Sequence, residues 1–157
     1  MGTLVRTGLD GHMSATPEKA ISYHYSIKGP NMYGTETHIE VVEQEANQQQ
    51  IKKLKLVGAE ERQISPLSEV YRHSWGRRRG EFIANLTNWN TVRPDSLVFV
   101  SVGEGLVDGD PTAGKFIGNA KFTVNNVSPE NGNVRVWVTI AFDQPIVLFI
   151  DYLLIPQ

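Results

Sequence analysis

The clearest pattern in the chain is an alternation of apolar and polar residues, concentrated in its second half. Val134, Val136, Val138, Ile140 and Phe142 fall on one face of residues 134–142, with Arg135, Trp137, Thr139 and Ala141 on the other. Successive side chains of a strand point to opposite faces, so this run predicts a half-buried strand. Residues 115–127 repeat the pattern, with Phe116, Gly118, Ala120, Phe122 and Val124 opposed to Asn119, Lys121, Thr123 and Asn125. The stretch 128–133 between them contains Asn131-Gly132, which tolerates positive φ, so residues 115–142 are expected to form a hairpin.

Two shorter apolar runs, 82–87 and 97–102, predict further strands. Residues 146–155 are apolar on both faces except at Asp151. Ten residues are too few to cross a bilayer as a helix and fit a strand covered on both sides, by another layer or another subunit. In the first half, residues 22–28 (Tyr23, Tyr25 and Ile27 on one face) and 35–42 read as strands around a turn at 29–34. Residues 43–50 suit a loop or a helical turn. Residues 51–57 suit a lysine-studded strand or a helix end, since Ile39, Val42, Ala46 and Leu54 also fit a helical face loosely. The fold class that follows is all-β: an antiparallel β-sandwich of six to eight strands.

Composition narrows the function. With 157 residues the chain is long enough for one domain with its own core. It has 15 Lys+Arg against 17 Asp+Glu, a net charge of −2, which disfavours dedicated nucleic-acid binding. No cysteine is present, which removes disulfides, thiolate nucleophiles and cysteine-ligated zinc. No run of eighteen apolar residues predicts a membrane-spanning helix. Residues 1–12 lack the apolar core of a secretory signal and read as a cloning leader before Met13. Residues 1–80 hold 11 basic against 9 acidic side chains, and residues 81–157 hold 4 against 8. The shift falls at Gly76–Gly80, so 13–80 is expected to be a β-rich extension packed on or beside an 81–157 sandwich.

Candidate chemistry is sparse. His12, His24, His38 and His73 show no metal-ligand spacing and read as solvated surface residues. The loop 103–114 is rich in glycine and acid but matches neither a dinucleotide nor a P-loop fingerprint. Its Asp108 and Asp110 are either part of a mobile connection or acceptors for ligand hydroxyls; the full calcium loop is absent. Arg72, His73, Trp75, Arg77, Arg78 and Arg79 form the only basic cluster, read as a solvated connector or an inter-subunit ion-pair site. Trp137, between Arg135 and Thr139, is either a subunit contact or a stacking platform for a ligand. No Ser-His-Asp arrangement or other catalytic motif is visible, so no enzyme, no metal and no cofactor is expected.

Residues 81–155 also have a recognisable outline. Glu81-Phe82 opens a strand, Pro94, Val98, Val100, Ser101 and Val102 follow, and then a Leu106-Val107-Asp108 loop. Val124-Asn125-Asn126-Val127-Ser128 leads into the valine strand, and the closing strand ends Ile150-Asp151-Tyr152-Leu153-Leu154-Ile155. This outline resembles the H-type lectin domain of snail agglutinins and of the C-terminal half of discoidins. The resemblance implies a trimeric antiparallel sandwich that binds galactose or N-acetylgalactosamine at subunit clefts. It also implies a ligand-contacting acid at Asp108 and a second contacting segment at residues 139–143. Where that family has Thr-Trp and a late Trp, this chain has Thr139-Ile140 and Asp151-Tyr152. The expected site residues are therefore Asp108, Asp110, Arg135, Trp137, Thr139 and Asp143. The expected function is glycan binding by a homo-oligomer. The alternative is an assembly protein, such as a virion appendage subunit, using the same trimer without a sugar site.

Overall fold

The computed structural model describes residues 21–27, 37–54 and 68–157. Ten strands follow in chain order: β1 (Ile21–Ile27), β2 (Thr37–Glu45), β3 (Lys52–Leu54), β4 (Ser68–Arg78), β5 (Gly80–Thr87), β6 (Leu97–Gly105), β7 (Lys115–Phe116), β8 (Lys121–Glu130), β9 (Asn133–Ala141) and β10 (Ile146–Ile155). They build two five-stranded sheets, β1-β2-β5-β9-β8 and β3-β4-β10-β6-β7. Among the described residues there is no helix, and so none long and apolar enough to cross a membrane. The all-β sandwich is the fold that the alternation predicts. The described residues hold ten strands rather than six to eight, and β2 runs parallel to β5. The leader at 1–12, the turn at 29–34 and the side chains of His12, His24 and His38 lie outside the described residues.

The core lies between the sheets. Val134, Val136, Val138 and Ile140 of β9 and Phe82, Ala84 and Leu86 of β5 face Trp75 of β4 and Leu148, Ile150, Tyr152 and Leu154 of β10. The β8–β9 hairpin closes through Asn131-Gly132, with Gly132 at φ 74°, a conformation that favours glycine. The strand expected from residue 115 is broken. Residues 115–116 become β7 and pair with β6 in the other sheet, while β8 starts at Lys121. The crossing runs through Gly118, which passes so close to the Glu104 carboxylate that a side chain there would require that carboxylate to move. Ile117, beside it, is fully exposed.

β10 is covered on both faces over its first half, as expected, and the chain itself supplies cover. Phe149 points away from the core yet is fully buried, its ring lying over Gly105 of β6. From Asp151 onward the outward residues are half-exposed.

The stretch expected to be an extension is built into both sheets. β2 lies between β1 and β5, and β4 lies between β3 and β10. β4 corrects the reading of the arginine cluster as a connector. Its residues alternate, with Tyr71, His73 and Trp75 buried and Arg72 and Ser74 half-exposed on the opposite face. Residues 43–50 continue β2 to Glu45 and then turn, and β3 occupies 52–54.

His73 is likewise not a surface residue. It sits between the sheets, with Nδ1 2.9 Å from the Tyr71 hydroxyl and Nε2 2.5 Å from Gln44 Oε1. The Tyr71 oxygen also accepts a hydrogen bond from the Asn47 N–H. Burial lowers the imidazole pKa to about 4, so the ring is neutral at pH 7. The hydrogen-bond chain satisfies a polar group that the core would otherwise strand.

Candidate ligand-binding site

The six residues expected at a ligand site occupy three places. Arg135, Trp137 and Thr139 point outward from β9, as the alternation predicts, and each is engaged by its own sheet. Arg135 pairs with Glu130 at 3.2 Å. Trp137 Nε1 donates to Glu81 Oε1 at 2.7 Å. Thr139 Oγ1 accepts from Asn125 Nδ2 at 2.8 Å. Trp137 is half-buried rather than an open platform.

Asp108 and Asp143 meet the arginine end of β4. Arg77 Nε lies 3.9 Å from Asp108 Oδ2, and Arg79 donates to the Asp143 backbone oxygen at 3.4 Å. Both contacts are exposed, and an exposed ion pair such as that of Arg77 and Asp108 contributes little. Asp110 is spent on its own turn. Its carboxylate accepts from the Thr112 hydroxyl and N–H at 2.6 and 2.9 Å, which holds it below the ordinary carboxylate range. The β9 triplet is engaged within its own sheet, Asp108 and Asp110 lie in the β6–β7 loop and Asp143 in the β9–β10 connection, and no contact joins the triplet to these acids. Among the described residues, no group of three or more His, Asp or Glu is placed to hold a metal ion.

A more developed site lies on the outer face of the second sheet, over β4, β10 and β6. Strand register explains it. Arg72, Asp151 and Ser101 are opposite one another across the three strands, and so are Val70, Leu153 and Phe99. Residues two apart share a face. An ionic row therefore runs beside an apolar row. Together they floor a groove of about 760 Å³, with Lys52 and the preceding glutamines on its rim and Pro111 and Thr112 from the β6–β7 loop.

The ionic row is tied together by hydrogen bonds and ion pairs. Arg72 Nε and NH2 donate to the two Asp151 oxygens at 2.5 and 3.2 Å, and NH1 donates to the Ala113 carbonyl at 3.3 Å. Lys115 reaches over from β7, 2.7 Å from Asp151 Oδ2 and 2.7 Å from the Ser101 carbonyl. Burial alone would raise the Asp151 pKa, but the hydrogen bonds from Arg72 and Lys115 outweigh it and hold the carboxyl below its usual range. The same carboxylate, through its hydrogen bond to the guanidinium, raises Arg72. In the apolar row, Phe99 is 58% exposed. Its ring faces solvent beside a fixed array of charged and hydroxyl groups.

Of these groove residues, the sequence flagged Arg72 only as part of a basic cluster and Asp151 only as the polar exception in an apolar strand. Phe99, Ser101 and Lys115 carried no chemical signal of their own. An acid inside a strand apolar on both faces needs a cationic partner, and that was the available clue.

Compared with protein-family models, curated proteins and solved structures, the chain matches none.

Proposed function

We propose that this protein is a glycan-binding, lectin-like sandwich whose site is the groove over β4, β10 and β6. The carrying observation is the exposed Phe99 ring in the row next to the Arg72–Asp151–Lys115 network. A sugar has an apolar C–H face and a rim of hydroxyls. The ring offers a surface for the first, and the hydroxyls meet donors and acceptors already fixed in place. Pre-organised polar groups beside an apolar wall are the general character of a ligand cleft. The family outline of residues 81–155 points to glycan binding by a trimer preferring galactose-type sugars, although it places the contacts at Asp108 and residues 139–143 rather than in this groove. Sugar sites of this kind are weak singly, and linked copies raise avidity by ~10²–10⁴.

An assembly role is the second reading. It is favoured by apolar side chains exposed on the β6–β7 loop and its flanks, namely Leu106, Val107, Phe116 and Ile117, since such patches commonly mark interfaces. A glycan screen on the intact chain, with mass in solution measured on the same sample, separates the two. Glycan capture supports the first reading, and an oligomer that captures none supports the second.

A further inference from the structure

Resting on the glycan reading above, we infer that the groove selects an acidic glycan, a sugar bearing a carboxylate or a sulfate. The chain as a whole is negative, at −2, but the groove is not. Lys52, Arg72 and Lys115 bring three cations to it, and Asp151 is the one carboxylate in the network. Asp110, next to the lining residues Pro111 and Thr112, is held by the Thr112 hydroxyl and N–H. Those neutral donors keep the Asp110 carboxylate ionised, so three cations stand against two carboxylates and a surplus of one positive charge is left at the groove.

The unspent donors are identifiable. A guanidinium carries five N–H groups. Arg72 uses three of them, two on Asp151 and one on Ala113. Two N–H groups therefore remain on a side chain 35% exposed at the groove floor. Asp151 fixes the guanidinium plane, so these donors are pre-oriented. Lys115 is more fully engaged, at 19% exposure, by Asp151 and the Ser101 carbonyl. Lys52, whose backbone pairs with Val70, is exposed on the rim, and its side chain makes no hydrogen bond or ion pair with any described residue.

An anionic substituent on a sugar stacked against Phe99 would accept from Arg72 and approach Lys52. Hydrogen bonds between ionised partners are roughly twice as strong as neutral ones. A neutral sugar would leave the surplus positive charge without a counter-ion from the ligand. The galactose-type preference implied by the family outline is thereby narrowed to acidic derivatives.

The test is calorimetric titration of the intact chain with one oligosaccharide in sulfated and unsulfated forms, and with a uronic-acid sugar against its neutral hexose. The acidic forms should bind about tenfold or more tightly at low salt, and the advantage should shrink as salt rises. Lys52→Gln should reduce acidic-sugar affinity by roughly tenfold. Lys53→Gln makes the same charge change on the same short strand outside the groove, and it should not reduce that affinity. Equal affinity for acidic and neutral forms overturns the inference and leaves the glycan reading standing. An acidic preference lost equally in both lysine variants also overturns it, because net charge rather than the groove would be responsible. Binding of neither sugar form removes the glycan reading and the inference with it. Binding of a single-stranded oligonucleotide in place of any sugar reassigns the aromatic and cations to nucleic acid.

Discussion

Acid should weaken this fold through His73 at a higher pH than through Asp151. The imidazole is held neutral between the sheets, and burial lowers its pKa from 6.5 to about 4. Its Nε2 faces Gln44 and its Nδ1 faces the Tyr71 hydroxyl, which already accepts the Asn47 N–H. A proton on Nδ1 would confront a hydroxyl that must then stop donating. The unfolded chain takes up this proton near pH 6.5 and the folded chain only near pH 4. Between those values the unfolded state holds more protons, so stability falls as pH falls through the window. It is complete above the window and changes no further below it. One pKa unit corresponds to about 1.4 kcal/mol, so the full drop costs about 3 kcal/mol, a large part of a typical domain's ~5–15 kcal/mol. Urea unfolding followed by tryptophan fluorescence reads this directly, because Trp75 and Trp89 are fully buried. Stability should decline by about 3 kcal/mol between about pH 7 and about pH 4. His73→Gln should be weaker at neutral pH, since it loses the acceptor for Tyr71, but flatter with pH. An equal slope in wild type and variant would refute the reasoning and move the titration to other groups.

Two further substitutions probe the groove and its supporting sheet. Asp151→Asn should cost about 1–2 kcal/mol at pH 7 in the same assay, since it leaves Arg72 and Lys115 without their counter-charge. The figure is modest because the Asp151 side chain is 33% exposed. The Asp151 contribution is present above the ordinary carboxylate pKa and is lost only as pH falls through its lower folded value. That window lies below the His73 window, so the two effects separate. Gly105→Ala should cost about 1–3 kcal/mol by overpacking, because its new methyl would lie 2.8 Å from the Phe149 ring. An unchanged unfolding midpoint would show that the ring moves aside freely.

Legibility in the sequence followed the locality of the signal. β9, β10 and the β8–β9 turn could be read because alternation and Asn131-Gly132 act over a few residues. β4 was hidden, although Tyr71, His73 and Trp75 alternate with Val70, Arg72 and Ser74, because the arginines that follow suggest solvent. The break before β8 takes the chain from one sheet to the other, with Gly118 passing the Glu104 carboxylate of β6, and no local alternation marks it. The groove was less legible still. Arg72 and Asp151 lie 79 residues apart, and only strand register sets them opposite each other with Ser101. Trp137 attracted attention as the aromatic of a regular strand, yet Glu81 and the surrounding sheet engage it. Phe99, in a run that reads as ordinary apolar strand, is the ring that faces solvent.

Whether Phe99 and the ionic row beside it form a sugar site is read directly by a glycan screen of three proteins in parallel. These are the wild type, Phe99→Ala and Trp137→Ala, each first checked for an unchanged unfolding midpoint. The account predicts that the wild type captures a related set of glycans. Phe99→Ala should lose them by about tenfold or more, taking a stacked ring at ~1–3 kcal/mol as on other aromatic platforms. Trp137→Ala should retain them. Capture that survives loss of Phe99 and disappears with Trp137 would contradict the account and return the site to the outer face of β9.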